Sequence, residues 1–405
     1  SGLSNGSVEG RLMNRARIDE GIRQMRFEEL LDRHERGELG QELAAQMLGV
    51  SDRTFRRWRD RLKDEGPAGL KDRRLLPSGK RAAQAEIERM PGLYRDTYSD
   101  FTVKHFHEQL VKRHSYKLGY TVTKVWLQRS GLVSRAKSRS AHRKKRPRRP
   151  MIGMMLHQDG SRYAWVPGDR RAYDLIVTLD DATGEIYSAF IVEEEGTAST
   201  FRGLLETIER KGLFCSLYTD RGSHYFHTPQ AGGKVSRSQL TQVGRALRQL
   251  GIEHIAAYSP QARGRSERAF GTLQDRLPKE LRLAGISSVE GANDFLRNVY
   301  IDDYNRRFAV QAEQDGSAFV ADSNGAAGDI LCVQEERRVG NDNTLRWKAL
   351  SLQLPESRLR PSFVRTQVRV REYPNGSLSV FWGPHRLGDY APDGSLITQG
   401  TALAA

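Results

Sequence analysis

Between Arg135 and Arg149 the chain reads Arg-Ala-Lys-Ser-Arg-Ser-Ala-His-Arg-Lys-Lys-Arg-Pro-Arg-Arg, nine basic side chains in fifteen residues without one acid. Such a segment repels itself and has little apolar surface to bury, so no hydrophobic core can pass through it. It therefore splits the chain into parts that fold on either side, and it reads as a disordered linker over 135–150. Proline among arginines suits an extended strand that follows phosphates or lies in a minor groove. Arg143, Lys144, Lys145, Arg146, Arg148 and Arg149 are the side chains placed to do so. The excess is global as well as local: the formal net charge is +15 over 405 residues. A balance of that sign favours a polyanionic partner, nucleic acid before an anionic membrane.

The length allows about two to four domains. Cys215 and Cys332 stand far apart without metal-ligand spacing, which fits a reducing compartment and argues against a disulfide framework or structural zinc. No apolar run reaches the ~18–20 residues of a membrane span, and no signal peptide is visible. Residues 1–7, Ser-Gly-Leu-Ser-Asn-Gly-Ser, read as a vector-derived scar, with Met13 and Met25 both open as native starts.

Residues 8–75 read as helical. Phe27, Leu30 and Leu31 form one apolar set, with Gly37 as a stop. A short helix over 39–48 then meets a tight turn at Gly49, and Ser51 caps a second helix. Phe55, Trp58 and Leu62 fall on one face of that helix, and Arg53, Arg56, Arg57 and Arg59 project from it or flank it. A compact pair with a basic second helix is what a helix-turn-helix needs to enter a major groove. Residues 80–134 repeat the theme, with a helix from a Ser99 cap to His114 and another from Thr121 to Ser130 carrying Lys124. With no cysteine nearby, His105, His107 and His114 read as surface or core histidines.

Beyond the linker the period changes. Leu156–Val166, Asp174–Asp180 and Glu185–Glu194 read as strands, the last two joined by a turn at Asp181–Gly184. Thr197–Lys211 is an amphipathic helix, Phe214–Thr219 a fourth strand, Gln239–Leu250 a helix, Ile252–Ala257 a fifth strand, and Arg263–Leu283 a long helix. Residues 330–397 read as short strands, with a hairpin at Pro374-Asn-Gly376 because Asn-Gly tolerates a turn with positive φ. A small β-barrel suits them.

Phosphodiester cleavage and transfer use two divalent cations, and magnesium takes carboxylate oxygens converging from separate elements. Asp159 lies inside the first strand, where a carboxylate is costly without a partner. Asp220 ends the fourth strand in Thr-Asp-Arg-Gly-Ser-His-Tyr-Phe226, and Glu267 opens the long helix after Ser259-Pro-Gln-Ala-Arg-Gly-Arg-Ser. Singly, each has a plain structural explanation as turn residue, cap or surface acid. Asp180 and Asp181 stand in reserve for Asp159, although a turn role also explains them.

These motifs, with His157-Gln-Asp-Gly160 and Tyr304-Asn-Arg-Arg307, resemble those of the DDE transposases and retroviral-type integrases. The bacterial insertion-sequence transposases grouped as ISNCY are the most similar. The resemblance covers nearly the whole chain. It implies a multidomain protein with all-α N-terminal helix-turn-helix domains (8–75 and 80–134), an α/β ribonuclease-H-like catalytic core (151–310) and the small C-terminal β-barrel (330–397). It further implies catalytic and metal-holding Asp159, Asp220 and Glu267, two Mg2+ ions (Mn2+ substituting), and double-stranded DNA bearing terminal inverted repeats. A homodimer or larger assembly on DNA in the bacterial cytoplasm follows from the same resemblance. Two departures stand out. Asp220 and Glu267 have 46 residues between them, with an apparent insertion over 227–238. Gln274 occupies the position where integrases often carry Lys or Arg, which leaves the terminal-phosphate contact to Arg263, Arg265 or Arg268. The competing readings are a DNA-binding regulator with an inert core and a nuclease without strand transfer.

Overall fold

Gly49 shows how the first helices take their places. The computed structural model describes residues 21–71, 84–135, 147–230, 233–236, 238–258, 264–323 and 325–397, and two compact units divide the chain between Arg89 and Met90. In the first unit, α1 (21–35) leads to α2 (Gln41–Leu48), which ends at Gly49 in the left-handed region at φ 73°. Glycine adopts this conformation without a Cβ clash, so the chain reverses at once. Ser51 then caps α3 (Asp52–Glu65), its hydroxyl accepting from Thr54 N–H. The apolar set converges: Phe27 packs edge-on against Phe55 and Trp58 at 5.1 and 5.5 Å, with Leu30, Leu31, Ala44 and Ala45 around them. Phe55 is fully buried and Trp58 and Leu62 half-buried, as their spacing requires.

The second unit is built on one mixed sheet. Its strands are β1 (Leu156–Tyr163), β2 (Tyr173–Asp180), β3 (Ile186–Val192), β4 (Ser216–Thr219) and β5 (Glu253–Ala256), in the order β3-β2-β1-β4-β5. The first three pair antiparallel and β4 and β5 add parallel to β1, as a ribonuclease-H-like core requires. Helix α7 (Thr197–Lys211) covers one face. Helices α9 (Gly264–Leu283), α10 (Val289–Phe295) and α11 (Ile301–Phe308) cover the other. Covered from both sides, β2 is buried along its whole length, with Leu175, Ile176, Val177 and Leu179 as its apolar residues. At the outer edge of β3, the amides of Asn293 and Asn305 each bond both the N–H and the C=O of one residue, Ile191 and Ile186.

Element limits shift where a local bond overrides the apolar pattern. β1 stops at Tyr163 because Trp165 folds back and donates its indole N–H to Ser161 O at 2.9 Å. α8 (Gln242–Gln249) starts later than the apolar run because Thr241 caps it. Ser99 caps nothing: α4 (Gln84–Thr97) precedes it, and Thr102 caps α5 (Val103–His114), which α6 (Tyr120–Arg129) follows.

Helices α4 to α6 enclose a cluster of Tyr94, Tyr98, Phe101, Phe106, Leu110 and Leu127 that also meets Leu283 at the end of α9. A polar knot ties α5 to α9. His105 Nε2 lies 2.8 Å from Glu280 Oε1, Gln109 donates to the same oxygen at 2.6 Å, and the Phe101 ring stacks on His105. Glu108 takes Arg276 and Arg307 beside it. Burial would push the Glu280 carboxyl up, but His105 and the neighbouring cations outweigh it and hold it below its ordinary value.

The C-terminal strands form an open sheet, β11-β10-β9-β6 (β6 Val333–Arg338, β9 Gln367–Glu372, β10 Leu378–Trp382, β11 His385–Tyr390), and a separate hairpin of β7 (Thr344–Trp347) and β8 (Leu350–Gln353). Among the described residues their hydrogen bonds close no barrel, although both sheets share one core around Trp347, Leu352, Val370 and Val380. The hairpin stands where Pro374-Asn-Gly376 put it. Only Gly376 has positive φ (84°), and its N–H bonds Tyr373 O; Pro374 starts the turn and glycine closes it.

Because removing one partner strands the other in a buried site, Glu280→Ala should destabilise the 90–405 unit by about 3–5 kcal/mol. Urea denaturation followed by tryptophan fluorescence measures the loss, and a cost below about 1 kcal/mol would show that the knot contributes little.

Candidate active site

Strand pairing brings two of the three acids to one place. Asp159 pairs opposite Val177 of β2 and shares the α9-facing side of β1 with His157 and Ser161. On its other flank β1 runs parallel to β4, with His157 level with Tyr218. The same offset carried two residues on sets Asp159 level with Asp220, immediately past the end of β4. Asp159 is 8% exposed. Asp220 is held by its own turn: Oδ1 accepts the Gly222 N–H at 2.8 Å. A Cβ at Gly222 would stand 3.0 Å from that oxygen and 3.1 Å from the His224 ring, so a side chain there would crowd the carboxylate.

Another acid, which the sequence reading passed over, lies on the α7-facing side of the same stretch of β1. Glu195, between β3 and α7, presses its carboxylate against the backbone of Gly160, next to Asp159. It lies 3.5 Å from His224 Nε2 and 3.4 Å from the buried Tyr225 hydroxyl, which also approaches Gln158 Oε1 at 3.3 Å. Burial first, then the charges of Glu195, Asp159 and Asp220, push the Tyr225 hydroxyl far above its ordinary pKa. Only the position of Glu195, in Glu193-Glu-Glu-Gly196 after a strand and before a helix, could have marked it.

Glu267 sits in the first turn of α9 and is exposed. Two helical turns on, Gln274 donates to Ser161 Oγ at 3.1 Å, so the α9 stripe that carries Glu267 borders the Asp159 face of β1. Among the described residues, however, no three His, Cys, Asp or Glu side chains form a ready metal-holding group. The β1–β4 register, carried past its last pair, sets Asp159 level with Asp220, and Glu267 follows in the first turn of α9.

The two reserve acids serve the backbone. Asp180 accepts from Gly153, Ala182 and Thr183 N–H, and burial raises its pKa. Asp181, wholly buried, joins three segments: His157 Nε2 at 2.8 Å, the Arg149 N–H at 2.7 Å and the Arg265 guanidinium. Burial opposes its charge, but these partners prevail and lower its pKa to about 2.

Of the basic side chains, Arg265 also donates to Pro147 O, and Arg148 to the carbonyls of Asp181 and Ala182. With the exposed Arg268 they line a recess of about 140 Å3. Arg149 and Lys124 are exposed, as are Arg53 and Arg57; Arg56 pairs with Asp52 and Arg59 with Asp60 and Gln41. Arg143, Lys144, Lys145, Arg146 and Arg263 lie outside the described residues.

Residues 28–81 match the family model of a helix-turn-helix domain. Over 347 residues the chain is 31% identical to the protein y4bF of Sinorhizobium fredii, which carries the name transposase; the match covers 85% of this chain and 75% of the relative. The chain belongs to the transposases. A second member of the family, the transposase for insertion sequence IS1202 of Streptococcus pneumoniae, is 30% identical over 194 residues, 48% of this chain and 41% of the relative. Two solved structures share a fainter likeness. The HTLV-2 integrase catalytic core domain in complex with magnesium (dimeric form) matches at 19% identity and TM-score 0.27, over 37% of this chain and 89% of that one. A chain of the simian T-cell lymphotropic virus intasome in complex with PP2A regulatory subunit B56 gamma matches at 14% and 0.31, over 65% and 84%. Scores this low add nothing to the assignment. In this transposase, among the described residues, no helix is long and apolar enough to cross a membrane.

Asp181 gives a pH-dependent prediction. Its folded pKa is depressed, so its stabilisation is complete above the unfolded value near 3.8 and is lost as pH falls toward 2. Asp181→Asn should therefore cost about 2 kcal/mol at pH 7 and progressively less below pH 4. Urea unfolding of both proteins at pH 7 and pH 3 checks this; an unchanged gap would assign the stabilisation to something other than the charge.

Proposed function

We propose that this transposase binds the terminal inverted repeats of a mobile element, nicks their 3′ ends and joins them to target DNA, with Asp159, Asp220 and Glu267 as the catalytic carboxylates. The observation that carries the reading is the parallel pairing of β1 with β4, which brings Asp159 level with Asp220 on one side of the sheet. A divalent cation bound by two carboxylates offsets their mutual repulsion. Their hard oxygen donors suit magnesium. Asp159 and Asp220 would hold the metal, with Glu267 joining from α9 across the same face of β1. Two bound divalent cations would supply activation of the attacking oxygen and stabilisation of the leaving one.

The chemistry is two in-line displacements at phosphorus. In the first, the oxygen of a water molecule bonds to phosphorus at the element end. The bond from phosphorus to the element's 3′ oxygen breaks, a proton of the attacking water passes by way of solvent to that oxygen, and a free 3′-hydroxyl and a 5′-phosphate on the flanking strand result. In the second, that hydroxyl attacks a target phosphodiester and expels a target 3′-hydroxyl, so one bond replaces another without hydrolysis. The residues of this chain hold the DNA for both steps. α3 and α6 supply basic side chains to the duplex, the linker arginines follow its backbone, and exposed Arg268, at the recess that Arg148 and Arg265 also line, meets a phosphate. Affinity from such contacts falls steeply with salt. Two element ends must meet, so a homodimer or larger assembly is part of the proposal.

The test is a labelled DNA bearing the element's own terminal repeat, incubated with Mg2+ or Mn2+. Losing an outer-shell partner of a metal ligand typically costs 10–100-fold, so Asp220→Asn and Glu267→Gln should each reduce nicking and joining by more than about a hundredfold while repeat binding persists. Tight binding with no cleavage by the wild type in either metal, even with paired ends, would overturn the proposal in favour of a DNA-binding regulator.

A further inference from the structure

One groove is left unused by the proposed chemistry. His227, Lys234, Val235 and Ser236, the outer edge of β5 and helix α8 line it, with a volume of about 650 Å3, well within the range of small-ligand sites. Both sequence neighbours of Asp220 touch the groove's lining: Thr219 meets His254 and Arg221 meets Tyr258. Its floor carries the Phe226 and His254 rings, stacked at 3.9 Å and 19°, and His254 Nε2 lies 3.0 Å from the Thr219 hydroxyl, one residue before Asp220. Burial, with the charge of His224, pushes the His254 pKa down to about 3, so that ring is uncharged at neutral pH. At the mouth stands Tyr258, 56% exposed, with the guanidinium of Arg221, one residue after Asp220, over its ring at 5.1 Å. Lys234 and Arg248 supply cations to the walls, and Glu253 is the one acid in the lining.

We infer that this groove receives an unpaired nucleotide of the DNA strand passing Asp220, its base against the aromatic side chains and its phosphate toward Lys234 and Arg248. The chemistry of the walls selects this occupant. Flat rings in a recess need a π-face that a base inside a duplex does not offer, whereas every unpaired base does. Two cations against one acid fit a ligand that carries one negative charge per nucleotide. An extended peptide along the β5 edge would have no use for rings and cations gathered at one end. The segment 227–238 thereby acquires a role, since Lys234, Val235 and Ser236 form one wall. The inference rests on the proposed DNA chemistry and names a subsite beside it.

The experiment measures binding by fluorescence anisotropy with the full chain, in EDTA so that no cleavage intervenes. The probes are a blunt duplex and the same duplex carrying a six-nucleotide single-stranded thymidine fork. Base stacking on an aromatic side chain corresponds to roughly five- to 150-fold in affinity. Tyr258→Ala should therefore weaken forked-DNA binding by about tenfold or more and leave blunt-duplex binding unchanged, whereas Tyr258→Phe retains the fork preference. Lys234→Ala with Arg248→Ala should reduce it independently, with thermal melting unchanged in each variant. A wild type that binds fork and duplex alike, or fork binding indifferent to all three variants, overturns the groove while leaving the transposase reading intact. A wild type that binds neither DNA overturns both. Loss of self-association in Tyr258→Ala with fork binding intact would instead assign the groove to a second copy of the chain.

Discussion

The parallel pairing of β1 with β4 is the constraint on which the rest depends. Three antiparallel strands alone would give a meander whose loops lie at both ends of the sheet. Adding β4 parallel to β1 forces a crossover, supplied by α7, and brings the end of β4 to the same side as the polar half of β1. Asp159 and Asp220 become neighbours although 60 residues lie between them in sequence. The turns after β3 and β4, carrying Glu195 and His224, then collect around them. Ligand sites in open α/β sheets tend to form at the ends of parallel strands for the same geometric reason.

Asp181 plays the second organising part. By holding His157 of β1, the N–H of Arg149 and the guanidinium of Arg265, it fixes the start of α9 against the strand that carries Asp159. The end of the basic linker is fastened at the same point. A carboxylate sealed from water is tolerable because each of its oxygens meets a donor. The basic segment that reads as a free tether is, at 147–149, part of the folded core.

Much of this was legible in the sequence, for identifiable reasons. Helix α7 was readable to the residue because its apolar positions recur without interruption and Gly196 and Gly212 bound it. The Gly49–Ser51 turn was readable because a left-handed glycine and a hydroxyl cap are local signals. Boundaries failed where a single side chain intervened, as with Trp165 cutting β1 short and Thr102 replacing Ser99 as a cap. The strand settings of Asp159 and Asp220 were legible because they are local. Glu195 was hidden because its placement depends on the packing of Gly160 beneath it. The buried alliance of His105 with Glu280 joins residues 175 positions apart, and neither carries any mark of the other. The open C-terminal sheet escaped notice because alternation shows that strands exist but not whether the last one closes on the first.

The asparagine amides on β3 have a consequence for solubility. An outer strand ordinarily offers a row of unsatisfied backbone groups to any other strand it meets, and this is a common route to misassembly. Asn293 and Asn305 imitate the peptide groups of a sixth strand at Ile191 and Ile186 without extending the sheet. The sheet is thus terminated on that side by two side chains held on helices, a counterfeit strand that neighbours cannot displace without breaking four hydrogen bonds. During synthesis the protection arrives late, since both residues lie about a hundred positions or more beyond the strand they cover. Until α10 and α11 have emerged, the outer edge of the nascent β3 lacks both of these amides.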